Sequence, residues 1–94
     1  MKENEIINNE EKSRFEMPVE GQTAVIEYTR AGDTYSLNHT EVPSSLEGGG
    51  VGKKLAAQAL DYIKSKGGKV EPRCSFINAY IKRHPEWNDI VAKD

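Results

Sequence analysis

Three period-two runs joined by turns of two or three residues constrain this chain more than any other feature. The run "RFEMPV" alternates Phe15, Met17 and Val19 with polar or turn-forming neighbours. Glu20 and Gly21 then turn the chain, and "QTAVIEYTR" alternates Ala24, Ile26 and Tyr28. Ala31, Gly32 and Asp33 turn it again. "TYSLNHTEV" follows and sets Tyr35, Leu37 and His39 on one face, provided no bulge intervenes. This alternation marks a strand with one buried face. Connections this short cannot cross over a sheet, so the strands must form an antiparallel meander. Ahead of them, Ile6 and Ile7 lie in a polar stretch, and "NNEEK" reads as a turn. Residues 1–12 are therefore expected to be a short edge strand or a poorly ordered N-terminus.

At Pro43 the pattern changes. "PSSLEGGG" is loop, and from Val51 the apolar residues recur in steps of four at Leu55, Ala59 and Ile63. Ala56, Leu60 and Tyr62 flank that stripe, and Lys53, Lys54, Gln58, Asp61 and Lys64 face away from it, which is an amphipathic helix. Gly67 and Gly68 close it. "KVEPRC" is a short strand whose Pro72 suits an edge or a bulge. "SFINAYIKRH" is a second helix with Ser75 as its N-cap, ended by Pro85 and followed by a last helical turn. The fold class is α+β: a meander, then helix, strand and helix, making a small mixed sheet flanked by helices.

A length of 94 residues allows one domain and one core. The net charge of −2 argues against nucleic acid or an anionic membrane surface as partner. No apolar run has the length of a membrane span, and the acidic start has no apolar segment of a secretory signal. The single cysteine excludes an internal disulfide and fits a reducing, cytoplasmic setting.

The stretch "SLEGGGVGKKL" joins the meander to the first helix. Amides at a helix start lack intrahelical partners, and the helix dipole favours an anion there. Glycine permits close approach and positive φ. The spacing fails both common phosphate patterns. A Walker loop ending at Gly52 and Lys53 would need glycine at Glu47 and Ser or Thr at Lys54. A dinucleotide loop would need glycine at Lys53 or Leu55. Tight packing alone is the bland alternative.

What remains, from Glu47 to Gly52, resembles motif A of the GCN5-related N-acetyltransferases, with Gly50 and Gly52 opening the helix and Glu47 in place of the usual Gln or Arg. With "LNHTEVPSSLEGGGVGKKL", "KVEPRCSF" and "YIKRHPEW" in that order, the chain from Glu20 onward resembles the short single-domain subgroup of that superfamily, in which Glu at position 47 is normal. The resemblance implies acetyl-CoA as cosubstrate, an amine of unknown identity as acceptor, and acyl transfer as the reaction. A non-catalytic CoA-binding or protein-interaction module is the alternative. The cosubstrate contacts it implies are Thr40, Glu41, Val42, Glu47, Gly48, Gly49, Gly50, Val51, Gly52, Lys53, Lys54, Arg83 and His84.

Transfer to an amine needs a base for the amine proton and a partner for the departing thiolate, or a cysteine that carries the acyl group. The resemblance implies that His39 and Cys74 fill these roles, with their strand ends meeting beside the thioester. The residues alone leave other readings open, since a lone cysteine is often a small buried apolar group and a histidine is often hydrogen-bonded core. Tyr80 and Trp87 read as packing residues. His39, Cys74 and His84 lack the paired spacing of a zinc site, so no metal is expected.

Overall fold

In the computed structural model, which describes residues 2–92, five strands form one sheet in chain order. Strands β1 (Ile7–Asn9), β2 (Arg14–Val19), β3 (Gln22–Ala31) and β4 (Thr34–Glu41) pair antiparallel in succession. Helix α1 (Val51–Ser65) then carries the chain back, so that β5 (Lys69–Pro72) runs parallel to β4. Helix α2 (Ser75–Arg83) and a 3-10 segment over Pro85–Ile90 complete the chain. This is the expected α+β arrangement with a mixed sheet.

Both helices cover the same face. Phe15, Met17, Ile26, Leu37 and Val70 from the strands are fully buried against Leu55, Leu60 and Ile63 of α1 and Ile77 of α2. Among the described residues no helix lies on the opposite face, and Thr23, Glu27 and Thr29 of β3 are exposed there. The first strand is an edge strand, held down by polar groups of α1. The Gln58 amide accepts from the Ile6 N–H at 2.9 Å and donates to the Asn4 carbonyl at 2.7 Å. Two hydrogen bonds to one side chain hold the segment leading into the strand, where Ile6 also packs against the core.

A bulge in β4 changes what the sheet presents. The β3–β4 register passes from Tyr28 opposite Leu37 to Glu27 opposite His39, which leaves Asn38 unopposed. One extra residue reverses the alternation beyond it. Thr40 pairs with buried Ile26 on the helix side, while His39 turns to the bare face. The expectation that Tyr35, Leu37 and His39 share a face therefore fails at His39. The second helix also starts differently from the expectation. Cys74, not Ser75, is the cap residue, with φ −78° and ψ 132°. Its amide donates to the Leu37 carbonyl at 2.8 Å, which holds Cys74 extended and lets the helix begin only after it.

Candidate functional site

Strands β4 and β5 part company after Leu37. Their pairing ends with Leu37 beside Pro72, and the Leu37 carbonyl accepts from both the Arg73 and the Cys74 amides, at 3.1 and 2.8 Å. The chain after β5 then turns into α2, while β4 runs on to Glu41. From Asn38 onward the β5-side edge of β4 has no strand partner among the described residues. Next to this free edge lies a groove of about 510 Å³. Thr40, Val42, Glu47, Gly48, Gly50, Val51, Gly52 and Lys53, all among the expected cosubstrate contacts, line it together with Leu46 and Phe76.

The glycine loop shapes one end of the groove. Gly50 caps α1 in the left-handed region at φ 81°, where a side chain would be strained. The first helical bond runs from the Lys54 amide to the Gly50 carbonyl. The amides of Val51, Gly52 and Lys53 are thus the open first-turn donors, and no side chain caps them. Lys53 borders the groove, which adds a formal positive charge beside those donors. Of the expected contacts in this loop, Lys54 and Gly49 border a different hollow behind the loop, with Glu3 and Glu20. Helix periodicity separates Lys53 from Lys54, because adjacent helical residues point about 100° apart.

Gly52 has a second reason to be glycine. A β-carbon there would lie 2.9 Å from the Cζ atom of Phe76. The ring of Phe76 lies across the start of α1 and forms a wall of the groove. Sequence reasoning missed Phe76. No periodicity links a residue on α2 to a glycine on α1.

Cys74 is half-buried and packs against the core, and its thiol donates to the Thr40 hydroxyl at 3.3 Å. Burial pushes this thiol up. The Thr40 hydroxyl and the Ile77, Phe76 and Thr40 amides favour the thiolate more strongly, so the net displacement is below the ordinary thiol value. The helix amides act here without closing a cap hydrogen bond to the sulfur.

His39 lies on the bare face with its side chain 57% exposed, and its Nε2 is 3.8 Å from the Glu41 carboxylate. Glu41 borders a hollow on that same face with Arg14, Glu16 and Val25, and does not line the groove. The two strands are neighbours, as expected, but the two side chains leave β4 and its neighbour on different faces of the sheet. Cys74 bonds to Thr40 on the helix side of β4, and His39 stands with Glu41 on the other side. The bulge at Asn38 is the cause.

Arg83 and His84 sit at the far end of α2 from Phe76, and the groove does not extend to them. His84 stacks on Tyr80 with ring centroids 4.3 Å apart, and its Nδ1 is 3.9 Å from Glu86. Burial raises the Tyr80 hydroxyl above its ordinary value, with the Glu86 charge adding to it. Trp87 packs against the core, as expected. Among the described residues no three His, Cys, Asp or Glu side chains gather as a metal ion would require. No described helix is long and apolar enough to cross a membrane.

Comparison with known proteins accords with this geometry. The family model for GCN5-related N-acetyltransferases matches residues 14–90. The chain belongs to the GCN5-related N-acetyltransferase family. Its curated relatives include the protein NATD1 of Mus musculus, 32% identical over 81 residues, which covers 83% of this chain and 74% of the mouse protein. NATD1 of Xenopus tropicalis is 38% identical over 63 residues, covering 66% of this chain but only 58% of the frog protein. The solution structure of a GCN5-like protein from Staphylococcus aureus superposes with a TM-score of 0.72 at 25% identity, over all of this chain and 93% of the other. In this chain the bulged fourth strand and the helix capped by Gly50 are the frame on which the groove is built.

Proposed function

We propose that this protein is an acyl-CoA-dependent N-acyltransferase that moves the acetyl group of acetyl-CoA to an amine. One observation carries the reading: the groove leads from the open amides of α1 to the unpaired edge of β4. The pyrophosphate of a CoA suits the amides of Val51, Gly52 and Lys53 and the Lys53 charge. The pantetheine arm is extended and carries two amides, so it can add to the free edge of β4 as a further strand would. That path brings the thioester to the bulge. The bulge leaves backbone polar groups outside the β3 ladder, available to the carbonyl oxygen as charge develops on it.

Transfer forms a C–N bond to the amine and breaks the C–S bond to CoA. The amine must lose a proton, and the departing thiolate must be stabilised or gain one. His39 takes the amine proton from the bare face, and Glu41 steadies the imidazolium that results. Cys74 serves from the helix side. Its thiol donates to the Thr40 hydroxyl, which lines the groove, so the second proton passes from that hydroxyl to the departing thiolate as the hydroxyl takes the thiol proton. Direct transfer is favoured over an acyl-cysteine intermediate because Cys74 bonds to Thr40 on the helix side while His39 leaves β4 on the other face.

Isothermal titration with acetyl-CoA tests the reading first, and CoA release over a panel of amines tests it second. We expect binding, turnover that fails in His39→Ala, and no acetyl adduct on Cys74 by intact mass. Absence of binding would sink the proposal. Binding without turnover on any amine would leave a CoA-binding module. An acetyl adduct on Cys74 that transfers to amine would replace direct transfer by a two-step path.

A further inference from the structure

We infer that Phe76 holds the pantoate segment of CoA, the quaternary carbon with two methyl groups that lies next to the diphosphate; the inference rests on the acyl-CoA reading and deepens it. Three observations meet at this residue. Among the described residues Phe76 is one of two large hydrophobic residues left exposed, at 38%, and the other, Ile7, lies on the edge strand. Its ring borders the groove. The tip of that ring lies against the first turn of α1, since a β-carbon at Gly52 would be 2.9 Å from Cζ and 3.5 Å from each Cε atom. Gly52 is itself one of the open amide donors there. The ring therefore stands at the end of the groove that suits the diphosphate.

An anion needs no apolar wall. The lining at the loop end nevertheless holds Leu46, Val51 and Phe76 beside the Val51, Gly52 and Lys53 amides. Leu46 and Val51 are already buried by the fold and Val42 is half-buried, so Phe76 is the apolar lining residue with the most surface left to cover. A ligand that matches such an end carries a phosphate close to a compact apolar group. CoA has that order: the diphosphate ester, one methylene, then a quaternary carbon with two methyl groups, all before the first amide of the arm. With the diphosphate on the α1 amides, those methyl groups fall beside the ring and cover apolar surface on both partners. The amides and the thioester continue past the ring along the free edge of β4. Glycine at position 52 is what lets an aromatic ring stand this close to the anion donors. Phe76 thus fixes where the arm leaves the diphosphate, and the choice of acyl group lies elsewhere.

The test is the ratio of affinities for CoA and for a CoA analogue lacking the two geminal methyl groups, measured by titration calorimetry on the whole chain. The native protein, Phe76→Ala and Phe76→Leu are compared. Both ligands carry the same nucleotide, diphosphate and thiol, so the ratio cancels any change in how those parts bind. The native protein is expected to favour CoA by roughly tenfold, the scale for covering two methyl groups with apolar surface. Phe76→Ala should remove most of that preference, and Phe76→Leu a smaller part of it. An unchanged ratio in both variants overturns the assignment while leaving the acyl-CoA reading standing. A native protein that binds the two ligands equally also overturns the assignment alone. Failure of the native protein to bind acetyl-CoA or free CoA overturns the acyl-CoA reading, and this inference with it. The exposure of Phe76 makes loss of folding unexpected, and a thermal melt of each variant checks it. Should Phe76→Ala unfold, the Phe76→Leu ratio decides.

Discussion

Strand β4 presents Tyr35, Leu37 and, past its bulge, Thr40 to the helices, and His39 and Glu41 to the open side. The helix-covered face is closed by Phe15, Ile26, Leu55, Leu60 and Ile77 at zero exposure. The bare face is a field of charged and hydroxyl side chains, and its His39–Glu41 contact is between exposed groups. The same strands built both faces by alternation, reset once by the bulge at Asn38. The difference teaches that stability and chemistry are separated by the sheet, with the free edge of β4 as the seam between them. A residue's contribution should follow its face more than its distance along the chain.

The largest effect should come from cutting the covered face. Leu37→Ala is expected to cost about 2–5 kcal/mol in chemical denaturation, since it removes a fully buried side chain at the centre of the core. Glu27→Ala, on the neighbouring strand but the bare face, should change stability by no more than about 0.5 kcal/mol. Comparable losses from the two would break the contrast. On the bare face the expected loss is in rate. His39→Ala should lower amine acetylation by roughly a hundredfold or more, the scale for a general base, with the melting curve little changed.

A smaller effect belongs to the seam. Gly52→Ala should weaken acetyl-CoA binding by about tenfold, since a methyl group there meets the Phe76 ring and the ligand approach together. Gly50 is a poorer probe, because its left-handed φ would strain the helix cap itself under any side chain. Thr40→Val should give the smallest change. Removing the hydroxyl that favours the Cys74 thiolate raises the thiol, so the iodoacetamide alkylation profile should move to higher pH and the rate at neutral pH should fall. The sign for stability follows from the same depression. Whatever the thiolate contributes is present above the unfolded thiol value and is lost as pH falls through the lower folded value. An unmoved alkylation profile in Thr40→Val would mean that the helix amides alone set this thiol.

Much of this was legible in the chain itself. The turns at Gly21 and Gly32 and the alternation of Phe15, Met17, Ala24 and Ile26 are local signals, and they led directly to the observed meander. The steps of four from Val51 to Ile63 led to α1, and the glycines before it led to the loop end of the groove. His39, Arg83 and His84 were less legible. Each was placed by its position in a pattern, and position does not say which way a side chain leaves the backbone. The bulge at Asn38 turned His39 away from Cys74, and the length of α2 carried Arg83 and His84 beyond the groove. Phe76 was not legible, because its meaning depends on contact with Gly52 on a different helix.

The sequence by itself determined the element order, the antiparallel start, the buried stripe of α1 and the open amides behind Gly50. Those follow from short-range chemistry: side-chain period, turn geometry and unpaired backbone donors at a helix start. Only the tertiary structure decided that both helices share one face, that β4 and β5 separate after Leu37, that Thr40 rather than His39 bonds Cys74, and that Lys53 faces the groove while Lys54 does not. Each of these depends on how elements far apart in the chain pack, and a one-residue change of register is enough to move a side chain from one face to the other.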